Sequence, residues 1–338
     1  MESQAATAAT TAPPSLRVDY AAADDPARLL AGEGVLAVFG FGDAAASLDD
    51  PRYLRVPLQP LGPHRYEVWT CRGPVESGRD GNVAWALCDG LLFGAIEVDE
   101  PALPGGDTDI AAAAREAYAC LSGFLARSGH PHLLRTWNYF DAITRGEGDD
   151  ERYRRFCVGR VRGLGRVEGG AMPAATAIGT PAGPRRLQVY WLASRLPGTP
   201  VGNPRQLDPW RYPRQYGPQP PSFARAMLPP AGADMPLLLS GTAAIVGHAS
   251  RHAGDPLAQL DELLANLDSL LARARALRPS LPERFGPGAR LKVYVRDRAD
   301  LPGLAAALDA RLGDLPRLLL HGEVCRRELA VEIDGTHA

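Results

Sequence analysis

The segment NPRQLDPWRYPRQYGPQPPSFAR, residues 203–225, lies between two stretches whose apolar patterns predict strands and helices. Its prolines recur every few residues, and an interior proline removes a backbone donor and clashes with the preceding helical turn. A long segment without periodicity inside a compact domain is usually functional or disordered, and the aromatic residues here argue against disorder. We therefore predict an ordered loop around which two halves of the chain are arranged.

The same loop is rich in arginine and tyrosine. Arg205, Arg211, Arg214 and Arg225 alternate with aromatic side chains. Planar guanidinium groups bind carboxylates and phosphates through two parallel hydrogen bonds. The composition therefore favours a small anionic ligand, and the alternative is a proline-rich crossover whose arginines are only solvated.

The stretch before the loop predicts strands and one long helix. Asp89-Gly90 separates two apolar runs and predicts a hairpin, because both turn positions tolerate positive φ. The predicted elements are strands at 34–41, 66–70, 133–140 and 187–193, a hairpin within 83–98, and a helix that is capped by Asp107 or Thr108, ends near Arg127 and is closed by Gly129.

The C-terminal part repeats this order of elements. Asp255 is a predicted N-cap with Pro256 at the first helical position, followed by a leucine stripe. The predicted elements are strands at 236–240 (ended by Gly241-Thr242), 291–295, 318–320 and 329–333, a helix from 255 with Leu257, Leu260, Leu264, Leu267 and Leu271 buried, and a helix at 300–312. We therefore expect an α/β (α+β) fold with a flexible tail at 1–16, an N-terminal domain at 17–170 and a C-terminal domain at 171–338.

Composition excludes several classes of protein. The 338 residues carry a net charge of -2, which gives no overall attraction to nucleic acid or to an anionic membrane. No apolar run is long enough to span a bilayer. The five cysteines contain no CxxC pair, a pattern that fits reduced thiols in a cytoplasmic protein better than a disulfide scaffold or a zinc site.

Three further features have competing interpretations. The basic stretch 151–166 suits nucleic acid or an anion pocket, but also a solvated helix face. His248 and His252 have the spacing of metal ligands on a helix, yet no third ligand is nearby, so we expect them to form hydrogen bonds in a loop.

In the alternating segment LAVEID, Glu332 is either a solvated outer residue or, if its face lines a pocket, a proton donor whose pKa is raised. Strict alternation puts Cys325 on the opposite face unless a bulge or a strand start intervenes.

Several motifs together resemble the chorismatase family of pyruvate-releasing enzymes that act on chorismate. They are RTWNYF, ERYRRFCVGR, PAATAIGT, the 203–225 loop, LSGTAAIVGHASRH and CRRELAVEID, in this order from about Arg135 to Gly335. The resemblance implies a C-terminal half similar to the RidA-type (YjgF) enamine deaminases and an N-terminal half that is a diverged copy. It also implies chorismate as the small-molecule partner, no cofactor and no metal, and we expect a monomer.

The resemblance assigns roles to individual residues. Glu332 would protonate the enolpyruvyl methylene, and Cys325 stands where a cysteine looks like a mark of the members that form hydroxybenzoate. The implied substrate-binding residues are Arg205, Tyr212, Arg214, Tyr216, Tyr153 and Arg160, with Gly241, Thr242 and Ala243 shaping the pocket wall. The expected products are pyruvate and 3-hydroxybenzoate, with or without 4-hydroxybenzoate, as in secondary metabolism. The alternatives are a hydrolytic chorismatase that releases a dihydroxycyclohexadiene carboxylate, a RidA-like imine deaminase, and a non-catalytic module that binds aromatic acids.

Overall fold

The computed structural model describes residues 14–22, 25–102, 109–165, 169–181 and 183–338. The helices are α1 (Pro26–Leu30), α2 (Ile110–Ser128), α3 (Arg152–Leu164), α4 (Pro256–Leu277) and α5 (Leu301–Leu312). The strands are β1 (Arg17–Ala21), β2 (Val35–Phe41), β3 (Tyr53–Val56), β4 (Gln59–Pro60), β5 (Tyr66–Thr70), β6 (Glu76–Asp80), β7 (Val83–Cys88), β8 (Leu91–Asp99), β9 (His132–Asp141), β10 (Ala174–Thr180), β11 (Arg186–Ser194), β12 (Thr199–Val201), β13 (Ala226–Leu228), β14 (Leu237–Ala243), β15 (Ile245–Val246), β16 (Ala249–Ser250), β17 (Arg290–Val295), β18 (Arg317–His321) and β19 (Val331–His337). The fold is therefore α+β.

The strands form three larger sheets and a two-stranded hairpin. Their orders are β1-β5-β2-β3, β10-β9-β11-β8-β7-β6, β12-β13-β14-β19-β17-β18-β4 and β15-β16. The two largest sheets are mixed, since β9 and β10 run parallel, as do β17 and β18, while their other neighbours are antiparallel. In the six-stranded sheet, β10 pairs with β9 and β11 pairs with β8. This sheet therefore contains strands from both sides of the predicted domain boundary between residues 170 and 171.

One apolar cluster draws side chains from all three larger sheets, among them Phe39, Trp69, Trp137, Tyr190 and Tyr294. Helices cover the opposite faces of the two largest sheets. Side chains of α2 and α3 pack with the six-stranded sheet in a second cluster, and those of α4 and α5 pack with the seven-stranded sheet in a third. The inner faces of the two sheets therefore meet, and β10 approaches β14, where Ser240 Oγ accepts a hydrogen bond from the backbone of Ala175 at 2.9 Å.

Most predicted elements are confirmed, and the hairpin at Asp89-Gly90 has the expected positive φ at both residues. The helix boundary at Asp107 or Thr108 lies outside the described residues, and Asp109 is the observed N-cap of α2. In α4 the leucine stripe was partly wrong, because Leu257 is exposed and the buried positions are Leu260, Leu263, Leu267, Leu270 and Leu271. Gly241 and Thr242 do not end β14, which continues to Ala243 through a change of register.

Two other predictions need correction. Residues 1–13 of the expected tail lie outside the described residues, but Ser15 and Leu16 are buried, and Leu16 donates its backbone N–H to Asp234. Cys71 and Cys88 form a disulfide, contrary to the expectation of reduced thiols. Cys71 directly follows β5 and Cys88 ends β7, so the fold brings together two residues that their separation of 17 does not single out.

The helices of the described residues include none that is both long and apolar enough to cross a membrane.

Candidate active site

A cavity of about 280 Å³ opens where α3, β10, the 203–225 loop, the β14 bulge and the segment before β19 meet. This is close to the lower limit of small-molecule sites. Its lining includes eight of the residues selected from the sequence: Glu332, Cys325, Tyr153, Arg160, Tyr212, Tyr216, Gly241 and Ala243. Arg205, Arg214 and Thr242 are not part of it.

Glu332 lies on β19, which is paired on both sides. Its neighbours in the sheet are Ala243 on β14 and Tyr294 on β17. The change of register in β14 places Gly241 against the carboxyl group, and a Cβ at that position would lie 2.0 Å from Glu332 Oε1. Gly241 therefore leaves the space that the carboxyl group occupies, which is a reason for glycine at a strand interior.

Burial raises the pKa of the Glu332 carboxyl to about 8, with a further increase from the neighbouring Asp334. Arg135, Arg225 and Arg296 oppose the shift. A carboxyl group with this pKa is protonated at neutral pH and can donate a proton. The interpretation of Glu332 as a solvated outer residue is therefore wrong, because its face of β19 turns toward the other large sheet.

Cys325 reaches the same cavity because the strand begins later than predicted. β19 starts at Val331, and residues 322–330 approach it as an irregular segment, so strict alternation does not apply between Cys325 and Glu332. Burial raises the pKa of the Cys325 thiol to about 12, with a further increase from Glu332. Cys325 is therefore a neutral thiol in the cavity wall.

Helix α3 contributes Tyr153, Cys157 and Arg160, which are spaced to share one helical face. The helix lies close to α2, since a Cβ at Gly159 would come 2.1 Å from the carbonyl oxygen of Ala111. Arg160 is buried and stacks over Tyr118, and its one hydrogen bond within the described part of the chain is a long one, donated to the hydroxyl of Thr136 at 3.5 Å. The solvated-face interpretation of the basic stretch is therefore wrong at Arg160 and also at Arg152, which forms ion pairs with Glu100 and Asp141.

The 203–225 loop is ordered, as predicted, and supplies Tyr212, Tyr216 and Arg225. Arg225 is buried and donates to the Tyr212 hydroxyl at 2.8 Å and to the backbone oxygen of Leu207 at 2.7 Å. The two tyrosine rings are 5.4 Å apart. Arg326 stacks on Tyr216, with its guanidinium carbon 4.1 Å from the ring centroid.

Arg205 and Arg214 extend away from the cavity. Arg205 pairs with Glu262 on α4 and donates to the side chain of Asn266 at 2.9 Å. Arg214 forms a two-point ion pair with Asp149, with contacts of 2.8 and 2.5 Å, and its side chain is 67% exposed. Both arginines anchor the loop to neighbouring elements instead of lining the site.

His248 and His252 flank β16 and are not on a helix, so they do not form an i,i+4 metal pair. His248 Nδ1 lies 3.2 Å from the Tyr216 hydroxyl, and His252 Nε2 lies 3.2 Å from Glu262. Their predicted role in loop hydrogen bonding is confirmed.

The chain is similar to several known proteins. A family model described as the N-terminal region of FkbO/Hyg5-like chorismatases matches residues 67–193. A chorismatase of Streptomyces rapamycinicus is 38% identical over 282 residues, covering 80% of this chain and 82% of its own. The chain belongs to the chorismatase family. A 3-hydroxybenzoate synthase of Streptomyces hygroscopicus is 32% identical over 280 residues, 80% of each sequence.

The fold agrees with that family. A chorismatase crystal structure superposes with a TM-score of 0.83 at 34% identity and covers 97% of this chain and 99% of its own. The YjgF gene product of E. coli matches 41% of the chain with a TM-score of 0.30 at 16% identity.

Several residues of this cavity were not predicted from the sequence. The structure adds Arg225 and Arg326 as cations in the lining and Thr176 on β10 as a hydroxyl beside Glu332. Arg225 lies within the recognised loop, but nothing in the local pattern distinguishes it from Arg205 or Arg214. The only available signal for Thr176 was its place in the motif PAATAIGT.

Proposed function

We propose that this chorismatase family member converts chorismate to a hydroxybenzoate and pyruvate, with Glu332 as the proton donor. The observation that carries the proposal is one cavity that holds a buried carboxyl group, whose pKa is raised by burial, together with buried arginines that have no carboxylate partner among the described residues. The family relationship supplies the substrate.

The substrate is a dicarboxylate, so its site needs two cationic contacts. Arg160 and Arg225 line the cavity, and the hydrogen bonds found for them in the described part of the chain go to neutral groups. The Nε atoms of both side chains are buried without a hydrogen-bond partner there. Buried polar atoms are nearly always paired, so a guanidinium group with an unpaired Nε and no carboxylate partner beside a cavity favours an anionic ligand. We assign the two carboxylates to Arg160 and Arg225, in place of Arg205 and Arg214.

Glu332 would transfer its proton to the methylene carbon of the enolpyruvyl group. In the resulting oxocarbenium ion the bond between the ring carbon and the ether oxygen would break, and its electron pair would leave with pyruvate. The cationic ring would then lose one proton as it becomes aromatic, which balances the proton that Glu332 donated and restores the acid for the next turnover. Formation of hydroxybenzoate plus pyruvate needs no net water, whereas the hydrolytic alternative consumes one water molecule for each chorismate. The neutral thiol of Cys325 and the methyl group of Ala243 lie in the wall near this reaction. They are our candidates for excluding water and favouring the aromatic product, a choice that the 3-hydroxybenzoate synthase relative also favours.

The test is incubation of the purified protein with chorismate, followed by chromatographic identification of every product. We expect pyruvate and a hydroxybenzoate in equal amounts. A non-aromatic diol as the sole ring product would replace our proposal with the hydrolytic reaction. Ammonia release from an imino acid, with no pyruvate from chorismate, would favour a RidA-like deaminase.

Glu332→Gln tests whether Glu332 donates the proton. Glutamine has the same size and can still form hydrogen bonds, but it has no carboxylic acid proton to transfer. We expect kcat to fall at least about 10²-fold, the usual contribution of a general acid. Chorismate should still bind, and isothermal titration with the variant would measure this directly. Full activity in the variant would remove Glu332 from the mechanism.

A further inference from the structure

Asp334 is a second carboxylate on the same face of β19 as Glu332, two residues further along the strand. It is fully buried. Its Oδ2 accepts four hydrogen bonds, from Arg135 Nη2 (3.2 Å), Trp137 Nε1 (3.1 Å), Thr176 Oγ1 (2.7 Å) and the Tyr294 hydroxyl (3.0 Å). Four donors from four different residues therefore hold this carboxylate in one orientation.

The network continues away from the cavity through Lys292. Its Nζ lies 3.8 Å from Asp334 Oδ1 and 2.8 Å from Glu67 Oε2. Glu67 in turn accepts a hydrogen bond from Trp69 Nε1 at 2.6 Å. Two cations, Arg135 and Lys292, therefore face two carboxylates, Glu67 and Asp334, in the interior between the sheets. Buried charges are tolerated when they are paired in this way.

Glu332 lies next to this balanced cluster. Thr176 Oγ1 is 2.5 Å from Arg135 Nη2, and a Cβ built on Gly241 would lie 3.4 Å from Thr176 Oγ1 and 2.0 Å from Glu332 Oε1. The cluster thus reaches the cavity wall beside the proton donor. An ionised Glu332 would add a third buried carboxylate next to two cations that are already paired, so the neutral form is favoured.

We propose that Asp334 is a positioning residue for the reaction: its carboxylate, held by Arg135, Thr176 and Tyr294 two residues along β19 from Glu332, acts together with burial to keep Glu332 in its proton-donating form. The inference rests on the proposed role of Glu332 as the proton donor. It assigns a function to a buried network that reaches the cavity through Thr176.

The other groups that face Glu332 determine the sign of the effect. Arg135 from β9, Arg225 from the end of the loop and Arg296 from the segment after β17 all favour the ionised form. The neutral Tyr153 of α3 and the neutral thiol of Cys325 also surround it. Glu147, Glu151 and Glu328 also line the cavity, but among the groups with the largest influence on the Glu332 pKa, Asp334 is the carboxylate that opposes these arginines. Removing its charge leaves the arginines uncompensated, so Glu332 should lose its proton at a lower pH.

The experiment compares two buried substitutions whose electrostatic effects differ in sign. Asp334→Asn removes a negative charge, and Arg135→Gln removes a positive one, while both weaken the same network. The readout is the carboxyl titration of Glu332 in the substrate-free protein, followed by carbon-13 NMR of glutamate labelled at the side-chain carboxyl. The signal is assigned by its loss in Glu332→Gln. Glu67→Gln is the matched control, because it removes a carboxylate from the far end of the same network.

We expect the Glu332 midpoint to fall by about one pH unit or more in Asp334→Asn, to rise in Arg135→Gln and to stay unchanged in Glu67→Gln. The fall of kcat/KM at high pH should move with the midpoint. Equal shifts of the same sign in the two variants, or an unchanged midpoint in Asp334→Asn, would mean that Asp334 is only structural.

The wild-type protein alone provides a second criterion if a variant fails to fold. An ionised Glu332 at neutral pH would overturn the inference. The titration needs no substrate, so it is separate from the proposed function. The Glu332 midpoint could shift as expected in the two variants while the wild-type protein leaves chorismate unchanged. That result would reject the proposed function and support the electrostatic role of Asp334.

Discussion

The arginines on the outside of the 203–225 loop and those of the cavity have the same chemistry and different roles. Arg205 and Arg214 are partly or largely exposed and paired with Glu262 and Asp149. Arg160 and Arg225 are buried and bonded only to neutral groups within the described residues. An arginine that already has a carboxylate partner is satisfied, whereas a buried and unpaired one favours a ligand that supplies the missing charge. Pairing and burial therefore distinguish a structural arginine from a binding one.

The largest effect should come from the buried arginines. Arg160→Met keeps the length and apolar packing of the side chain but removes its charge. We expect kcat/KM for chorismate to fall about 10²–10³-fold, mainly through KM, because a buried charged contact to the substrate is lost. Steady-state kinetics measure this. Arg214→Met is the matched control, and equal losses in the two variants would erase the distinction between the two groups of arginines.

Removing the space that Gly241 leaves for the Glu332 carboxyl group should produce the next largest effect on activity. Gly241→Ala places a methyl group where Glu332 Oε1 now lies. Displacing the carboxyl group by about 1 Å can reduce the rate by up to about 10²-fold, so we expect kcat to fall about 10–100-fold. Gly62→Ala, at a glycine with no atom within 4 Å of the added methyl, is the control. Unimpaired turnover by Gly241→Ala would show that the tight fit around Glu332 is not needed.

The buried carboxyl group should also affect stability. Its pKa is raised from 4.5 to about 8 in the folded protein, so folded molecules hold this proton where unfolded ones release it. Stability from this group is complete below the unfolded pKa and is lost as pH rises toward 8. Glu332→Gln cannot ionise, so its stability relative to wild type should increase by about 3 kcal/mol between about pH 5.5 and about pH 9. Urea unfolding at both pH values measures this, and a constant difference would contradict the raised pKa.

The smallest effect should come from the exposed arginines. Arg214→Ala removes an ion pair with solvent-exposed Asp149, and such pairs contribute about 0–1 kcal/mol to stability. We expect KM for chorismate to change less than about threefold, within what an exposed ion pair contributes. Arg205→Ala should also leave KM nearly unchanged, but its loss of contacts with Glu262 and Asn266 should be visible in thermal unfolding. A large rise of KM in either variant would return that residue to the binding site.

The sequence predicted local elements well where the signal was local. The turn at Asp89-Gly90, the N-cap Asp255 and the strand at 34–41 depend on nearest neighbours, and all three are confirmed. The Cys71–Cys88 disulfide and the pairing of β10 with β9 were not predicted, because contacts between distant segments leave no mark on local periodicity.

For the site, the sequence by itself determined the family, through ordered motifs, and selected Glu332 by its place in one of them. It also determined that an ordered arginine-rich loop separates strand and helix regions. Only the tertiary structure decided which arginines face the cavity. The packing of β10, β14, α3 and α4 determines that Arg205 and Arg214 lie beside Glu262 and Asp149 and that Arg160 and Arg225 are buried. The same packing decided that Glu332 is a neutral acid. Its pKa is set by burial and by Asp334 and the surrounding arginines, which come together only when the two large sheets meet.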